Sequence, residues 1–198
     1  VFDPRVARGF AGHVAGAING ASVARKTSFL RDRMGEQILA SAVTVTDDPL
    51  RRRGPGSRPF DGEGVAGMPL TMVENGVLKH WFLSHGLALE LGLETNGRGA
   101  RSGSTVSATS TNFAFEPGTI APEDLIRKVG TGLYVTEVIG QGVNMVTGEY
   151  SRGASGFWSE NGETAYPGSD ITVAGNLRNM FATREPATDV SFRGGMTV

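Results

Sequence analysis

The chain has 198 residues, of which 39% are hydrophobic and 20% are charged, and its 19 basic and 20 acidic side chains give a formal net charge of −1. These values predict one globular domain with a hydrophobic core, and the balanced charge excludes a general attraction to nucleic acid or to a membrane surface. Cysteine is absent, so disulfides, thiolate nucleophiles and cysteine-ligated zinc are excluded as well.

A helix is predicted at the start of the chain, where Asp3 is a typical N-cap residue and Pro4 suits the first helical position. The apolar stripe of this helix contains His13. A second stripe on the same helix consists of four glycines, namely Gly9, Gly12, Gly16 and Gly20. Each glycine costs a helix roughly 1 kcal/mol, and we therefore expect another backbone to pack against this glycine stripe.

Two hairpins are predicted further along the chain. Residues 70–74 and 77–82 are rich in apolar and β-branched side chains, and they flank Asn75-Gly76. This dipeptide favours a two-residue hairpin turn because both of its residues tolerate a positive φ angle. The same dipeptide recurs at Asn161-Gly162. Both turns predict antiparallel pairing of the strands on either side.

The remaining segments predict a further helix, a last strand and two loops. Residues 122–129 begin with Pro-Glu-Asp and end before Gly130, as expected for a short helix. Residues 51–64 carry too much glycine and proline for a regular element, and residues 94–104 are polar and rich in glycine, so both are predicted to be loops. A terminal strand is predicted near residues 190–192.

The predicted fold class is α+β, with mostly antiparallel strands and a few flanking helices. Glycine accounts for 29 residues, about twice the usual share of ~7%. Because glycine permits bulges and tight bends, this excess predicts a strongly bent, barrel-like sheet.

A search for metal-binding and acid–base groups begins with the histidines. A zinc peptidase helix of the His-Glu-x-x-His type carries two imidazoles and a carboxylate on one face. His13 is followed by Val14 and Ala17, so the base and the second ligand are both missing. His13 is therefore the only weak candidate for a metal ligand, and we predict no metal site and no catalytic residue in this chain.

The segment from 140 to 158 is the most unusual part of the sequence, because glycines repeatedly interrupt its strand-like stretches. Such interruptions can leave backbone N–H and C=O groups free to accept an extended peptide as an added strand. They can equally produce bulges in a bent sheet. The residues alone leave both interpretations open.

A series of short motifs runs in order along nearly all of the chain. They include residues 25–29 (RKTSF), 57–64 (SRPFDGEG), 130–133 (GTGL), 140–144 (GQGVN) and 147–158 (TGEYSRGASGFW). On these motifs the chain resembles the TldD/PmbA metallopeptidase family, also called TldD/TldE, and specifically its TldE (PmbA) branch, which carries the older label of modulator of DNA gyrase. The resemblance implies that residues 1–198 form a single domain, the C-terminal domain of a longer protein whose N-terminal domain is absent from this chain.

The resemblance also bears on zinc. TldD-type members carry a His-Glu-x-x-x-His or -Asp motif on the helix that matches the first helix here. Alignment on Arg25-Lys26 places Gly12, His13 and Ala17 at or near those ligand positions. The zinc motif is thus missing, as in TldE-type members. The resemblance implies no cofactor in this chain and a zinc ion in a TldD-type partner.

The implied function is that of a non-catalytic, pseudo-enzyme subunit in a cytoplasmic metallopeptidase that degrades or trims unstructured peptides. The implied partners are a TldD-like catalytic subunit and an unfolded peptide, while a homodimer of this part of the protein stays open. We expect six residues to bind peptide or to contact the partner: Gly140, Gln141, Gly142, Asn144, Arg152 and Gly153.

Two other functions remain as alternatives. One is an independently active metallopeptidase that would use unusual ligands, such as His13 with Asp61 or Glu63. The other is a nucleic-acid-binding or gyrase-binding modulator, which the balanced charge disfavours because phosphate contacts require clustered basic residues. Neither nucleic acid nor a membrane is expected as a partner.

Overall fold

The computed structural model describes residues 1–190, 192–193 and 196–197, the last two pairs by their backbone only. The described residues form an α+β fold. The helices are α1 (Pro4–Ala17), α2 (Gly20–Ala24), α3 (His85–Leu91), α4 (Pro122–Val129) and α5 (Leu177–Ala182). The strands are β1 (Val45–Asp47), β2 (Leu70–Glu74), β3 (Val77–Leu78), β4 (Gly99–Ser102), β5 (Thr105–Ala108), β6 (Phe113–Phe115), β7 (Gly132–Ile139), β8 (Glu149–Glu160), β9 (Glu163–Asn176), β10 (Phe192–Arg193) and β11 (Met196–Thr197).

The strands form three separate open sheets. A six-stranded sheet has the order β10-β11-β6-β1-β2-β3, a two-stranded sheet pairs β4 with β5, and a three-stranded sheet has the order β7-β8-β9. Neighbouring strands are antiparallel except for β11 and β6, which are parallel. The α+β class and the antiparallel pairing are therefore confirmed.

The predicted barrel-like sheet is wrong, because no sheet among the described residues closes on itself or curls strongly. The glycines serve other purposes than bending a sheet. Gly76 and Gly162 have φ angles of 83° and 82° in the two hairpin turns, and Gly92 and Gly130 end α3 and α4 with φ angles of 67° and 70°. Gly156 brings β8 so close to β7 that a Cβ atom there would lie 2.0 Å from the carbonyl oxygen of Tyr134. A glycine excess alone therefore does not distinguish turns and close approaches from barrel closure.

Both predicted hairpins are confirmed. Glu74 pairs with Val77 across Asn75-Gly76, and Glu160 pairs with Glu163 across Asn161-Gly162. The two asparagines also have positive φ angles, of 49° and 53°, which is the conformation that such two-residue turns require. The predicted terminal strand near 190–192 overlaps β10, but residue 191 lies outside the described residues.

Helix α1 begins as predicted. The Asp3 carboxylate accepts a hydrogen bond from the Arg5 backbone N–H at 2.9 Å, and it also accepts one from the Tyr134 hydroxyl of β7 at 2.9 Å. The buried side of α1 packs into the main hydrophobic core, where Ala11 and Val14 join residues of the six-stranded sheet such as Met72. The cap and the core together fix α1 against both larger sheets.

The predicted loop at 94–104 is wrong in its second half, which forms the β4–β5 hairpin. Asp61 holds this hairpin in place, because its buried carboxylate accepts a hydrogen bond from Gly99 N at 2.7 Å. Gly62 N in turn donates to the Gly99 carbonyl oxygen at 2.8 Å. The hairpin depends on contacts with a distant loop, so its local sequence carries no clear signal.

The predicted loop at 51–64 is irregular, apart from an isolated bridge between Phe60 and Ala66. The buried side chain of Asn112 ties its base together. The Asn112 amide donates to the Asp48 carbonyl oxygen at 2.6 Å and to Ser57 Oγ at 2.9 Å, and its oxygen accepts from Gly56 N at 3.0 Å. Two points of the loop and one residue just before it therefore share one anchor.

Across the described part of the chain, no helix is both long enough and apolar enough to cross a membrane.

Candidate functional site

The predicted binding residues meet at one end of the β7–β8 hairpin. β7 ends at Ile139, which pairs with Gly153 of β8, and the connecting loop folds back onto β8. The Arg152 guanidinium donates a hydrogen bond to the Gly140 carbonyl oxygen. Ser151 N donates to the Gly142 carbonyl oxygen at 2.6 Å. We name residues 140–148, which connect β7 to β8, the corner loop.

Gly142 explains why the corner loop lies so close to β8. A Cβ atom at this position would lie 2.0 Å from the Ser151 carbonyl oxygen, so a side chain here would push the loop away. Gly153 has no such constraint, since its nearest neighbour would be the Ile139 carbonyl oxygen at 3.8 Å. Gln141 is exposed to solvent at the tip.

Asn144 shapes the turn between the corner loop and β8. Its side-chain oxygen accepts hydrogen bonds from Val146 N at 2.9 Å and from Thr147 N at 3.3 Å. Its backbone N–H donates to the Glu149 carbonyl oxygen at 2.8 Å. An asparagine that bonds its own backbone two residues ahead stabilises a turn, so Asn144 has a structural role in addition to any contact with a ligand.

The segment at 149–158 is not a free edge. It belongs to β8, the central strand of its sheet, which pairs with β7 on one side and β9 on the other. The register shifts between Ala154 and Gly156 and again between Trp158 and Ser159. Of the two interpretations, the structure shows bulges in this segment. Because β8 is already paired on both sides, an extended peptide cannot add to residues 149–158 as a further strand.

Helix α1 lies against the start of β8 and thereby joins His13 to the corner loop. The His13 ring centroid lies 6.1 Å from that of Tyr150 and 6.3 Å from that of Phe10, both in edge-on arrangements. Phe10 and Tyr150 stack on each other at 5.5 Å. Gly16 of α1 would place a Cβ atom 3.7 Å from the Met145 methyl group. The weak metal candidate and the predicted binding loop thus belong to one region.

The electrostatics of this region favour a neutral imidazole. Burial lowers the pKa of His13 below its ordinary value of 6.5, and the nearby Arg152 guanidinium lowers that pKa further. Burial raises the pKa of the Tyr150 hydroxyl, although Arg152 acts in the opposite direction. At neutral pH the site therefore presents a neutral imidazole, a neutral phenol and a guanidinium.

The glycine stripe of α1 divides into an internal and an open half. Gly20 packs against backbone as expected, because a Cβ atom there would lie 2.7 Å from the Phe82 carbonyl oxygen. At Gly9 and Gly12, no described atom outside the neighbouring backbone of the helix lies within 4 Å of the position that a Cβ atom would take. These two residues leave the helix backbone uncovered beside His13, so another chain can approach it closely. We name this surface the open glycine face.

The side chains near His13 do not fit a zinc site. Zinc in peptidases is held by three imidazole, thiolate or carboxylate ligands, whereas the neighbours of His13 are a phenol and a guanidinium. Asp61 and Glu63 are engaged elsewhere, the first with Gly99 N and the second with His85 N at 2.7 Å. In the described ranges, no group of three or more histidine, cysteine, aspartate or glutamate residues is arranged to hold a metal ion.

Sequence reasoning missed two members of this site. Tyr150 stands two residues before Arg152, and alternate residues of a strand share a face, so the pair could have been found once β8 was recognised as a strand. Phe10 stands three residues before His13 on the apolar stripe of α1, which was a usable signal.

Comparison with known proteins places the chain in a family. The family model of the PmbA/TldA metallopeptidase C-terminal domain matches residues 1–198. Metalloprotease PmbA of Escherichia coli O157:H7 is 43% identical over 181 residues, which cover 91% of this chain and 38% of that protein. The metalloprotease PmbA homologue of Haemophilus influenzae is 42% identical over 181 residues, with 91% of this chain and 38% of that protein covered.

Solved structures agree with the sequence comparisons. A Bacteroides thetaiotaomicron protein described as a candidate modulator of DNA gyrase superposes with a TM-score of 0.87 at 28% identity, covering 98% of this chain and 43% of its own. TldE from Thermococcus kodakarensis superposes with a TM-score of 0.81 at 25% identity, covering 95% of this chain and 45% of its own. The chain thus spans less than half the length of each of these four relatives. The resemblance to the TldD/PmbA family is confirmed, and the chain belongs to the family of PmbA/TldA metallopeptidase C-terminal domains.

Proposed function

We propose that this chain is part of a non-catalytic TldE/PmbA-type subunit, which completes the peptide-binding chamber of a two-subunit metallopeptidase. In this proposal, the hydrolytic zinc ion belongs to a TldD-like partner, and the substrate is an unfolded peptide. The whole protein would carry a further, N-terminal domain and would work in the cytoplasm.

The observation that carries this proposal is the set of side chains around His13. A single imidazole, which burial and Arg152 keep neutral, faces a phenol and a guanidinium. Activation of a water molecule by zinc requires several donor ligands and a carboxylate base. A guanidinium next to the imidazole adds positive charge and opposes cation binding. The same groups are suitable for a peptide, because a guanidinium donates to carbonyl and carboxylate oxygens.

The open glycine face supports a contact with another chain. Gly9 and Gly12 leave the backbone of α1 accessible, and the corner loop lies on the neighbouring side of His13. A peptide or a partner backbone can approach such a surface more closely than one covered by larger side chains. This location agrees with the six residues predicted for peptide or partner binding.

The proposal is tested by reconstitution of the protein at its natural length with a TldD-type protein from the same organism. Peptidase activity and bound zinc are measured for each protein alone and for the mixture. We expect activity and zinc to require the TldD-type protein, and we expect His13→Ala to leave the zinc content of the mixture unchanged. Activity of this protein alone, with zinc lost in His13→Ala, would contradict the proposal and support the independent peptidase.

The open glycine face is tested with matched variants. Gly12→Leu fills the face, while Gly86→Leu adds the same side chain to an exposed helical glycine of α3 that also has no described atom within 4 Å of its Cβ position. We expect Gly12→Leu to reduce binding of the partner or of the peptide, and Gly86→Leu to have no effect on either. Equal behaviour of the two variants would remove α1 from the interface.

A further inference from the structure

A separate cavity lies on the other side of Phe10 from His13. Its volume is about 520 Å³, which is within the usual range of small-molecule sites. It is enclosed by the start of α1, by α4 and by the segment at 183–190. Its apolar lining includes Phe2, Phe10, Leu39, Val43, Leu125 and Val129.

Arg184 places a cation against the aromatic rings that line this cavity. Its guanidinium carbon lies 4.3 Å from the ring centroid of Phe2 and 4.5 Å from that of Phe10. Its Nε atom is buried without a hydrogen-bond partner. Within the described part of the chain, no carboxylate forms an ion pair with Arg184. The aromatic rings thus provide its main favourable contacts.

The side chains of Glu185, Asp189 and Lys128 also line the cavity, but they do not neutralise Arg184. Glu185 and Asp189 are exposed, and Glu185 forms an ion pair with Lys128 of α4 at 2.5 Å. This ion pair uses both of its charges and connects α4 to the segment at 183–190. The part of the cavity beside the rings of Phe2 and Phe10 therefore carries a net positive charge.

A half-buried guanidinium whose Nε atom has no hydrogen-bond partner is costly, because it has lost part of its hydration and gains only weak compensation from aromatic rings. Burial accordingly lowers the pKa of Arg184. A carboxylate relieves this cost better than a neutral group, since it accepts two parallel hydrogen bonds from the guanidinium fork. A ligand that fits this cavity should therefore carry a carboxylate.

Helix α4 provides the apolar wall opposite Arg184. None of its residues is fully buried, although Leu125 and Val129 face the cavity. The helix is held at both ends, since Ile120 before it pairs with Ala187, and Gly162 N donates to the Gly130 carbonyl oxygen at 2.9 Å after it. A fixed helix with a partly uncovered apolar face can accommodate an apolar ligand without unfolding.

We propose that this cavity binds a monocarboxylate with an apolar body, whose carboxylate contacts Arg184 and whose apolar part packs against Leu125 and Val129. The volume, about that of 17 water molecules in the liquid, suits a medium-length chain. Both a fatty acid and the C-terminal residues of a hydrophobic peptide have this chemistry. The inference rests on the cavity alone and does not depend on the proposed function.

The test is calorimetric titration of the protein at its natural length. One pair of probes is decanoate and decanol, and the other is an acetylated trileucine peptide with a free carboxylate and the same peptide as its amide. We expect at least one carboxylate to bind about tenfold or more tightly than its neutral counterpart, as one charged hydrogen-bonded pair allows. The carboxylate that binds more tightly shows whether the cavity is suited to a fatty acid or to a peptide C-terminus. If neither carboxylate binds more tightly than its neutral counterpart, the proposal is overturned.

Two variants locate the binding site. Arg184→Leu removes the charge and keeps an apolar side chain, and Val129→Phe fills part of the cavity from the side of α4. We expect the first to abolish the preference for the carboxylate and the second to weaken both members of each pair. Arg52→Leu, at an exposed arginine in the loop at 51–64, serves as the control and should change nothing. Unchanged binding in Val129→Phe, with its fold verified by circular dichroism, would place the ligand elsewhere and overturn the proposal. The peptidase test and this test can fail separately.

Discussion

Arg98 and Asp47, 51 residues apart in the chain, form a fully buried ion pair in which Arg98 Nε donates to Asp47 Oδ2 at 2.5 Å. Arg98 also donates to the Met68 carbonyl oxygen at 2.9 Å, and Thr111 N and Oγ1 each donate to the Asp47 carboxylate at 2.8 Å. The pair thus connects β1, the end of a long loop and the start of β4. The ion pair and the two bonds from Thr111 are buried, so Arg98 and Asp47 depend on each other.

The first prediction concerns this ion pair. Arg98→Met leaves the Asp47 carboxylate buried without a counter-charge, and we expect the free energy of unfolding to fall by about 3–5 kcal/mol. The matched control is Arg101→Met in the same hairpin, where the exposed arginine donates only to the Gly62 carbonyl oxygen at 3.0 Å. Its effect should be about 0.5 kcal/mol or less. Urea unfolding of both variants measures the difference, and equal losses would contradict a special role for Arg98.

The second prediction compares two glycines of β8. A methyl group at Gly156 would lie 2.0 Å from the Tyr134 carbonyl oxygen, whereas one at Gly153 would lie 3.8 Å from its nearest neighbour, the Ile139 carbonyl oxygen. Gly156→Ala should therefore separate β7 from β8 and lower the free energy of unfolding by about 1–3 kcal/mol. Gly153→Ala should stay within about 0.5 kcal/mol of the parent. Thermal unfolding of the two variants measures the difference. A larger loss of stability for Gly153→Ala than for Gly156→Ala would contradict the close approach of β8 to β7 at Gly156.

The third prediction concerns the titration of His13, followed by NMR. Its pKa in the folded protein lies below 6.5, first because of burial and then because of Arg152. Below pH 6.5 the His13 side chain therefore binds more protons in the unfolded chain than in the folded protein. The contribution of neutral His13 to the free energy of unfolding is fully present above pH 6.5, and it is lost as the pH falls through the folded pKa. Arg152→Gln should raise the His13 pKa towards 6.5.

His80 provides an internal control for that titration. Its pKa is also lowered by burial, but the charges that contribute are those of Arg98 and Lys79. We therefore expect Arg152→Gln to leave the His80 titration unchanged. If the pKa values of both histidines shift by the same amount, the substitution has loosened the structure in general and has not simply removed one charge near His13.

The fourth prediction concerns the turn at Asn144. Asn144→Ala removes the acceptor for Val146 N and Thr147 N, and we expect it to cost about 0.5–2 kcal/mol of unfolding free energy, as the loss of a capping side chain does. Asn144→Asp retains an acceptor oxygen and should recover most of this loss. Gln141→Ala, at an exposed position in the same corner loop, should have little effect. If Asn144→Asp is as unstable as Asn144→Ala, the turn does not depend on the acceptor.

The elements that could be predicted from the sequence are those with a local physical cause. The Asp3 cap, the two Asn-Gly turns and the stop at Gly130 each act within a few residues, and each is found where it was expected. That the sheets are open and not barrel-like could not be predicted in this way. Glycine content does not reveal which partner each backbone approaches, and Gly156 is defined by a contact with Tyr134 in another strand.

The candidate site shows the same division. His13 and the corner loop were recognised separately, but their proximity depends on how α1 packs against β8, which no local pattern specifies. Arg184 gave no signal, because a single arginine near the end of the chain is ordinary until the rings of Phe2 and Phe10 surround it. Sites assembled from distant segments therefore required the structure.

The anchoring of the loop at 51–64 by Asn112 has a consequence for limited proteolysis. The loop carries three consecutive arginines at which trypsin can cut, residues 51–53, and most of this region is exposed. A protease must draw several residues into an extended conformation, and here that requires the bonds from Asn112 to Asp48, Gly56 and Ser57 to open first. The rate of tryptic cleavage in this loop therefore reports how often the hydrogen bonds of Asn112 open. The solvent exposure of the arginines does not by itself determine that rate.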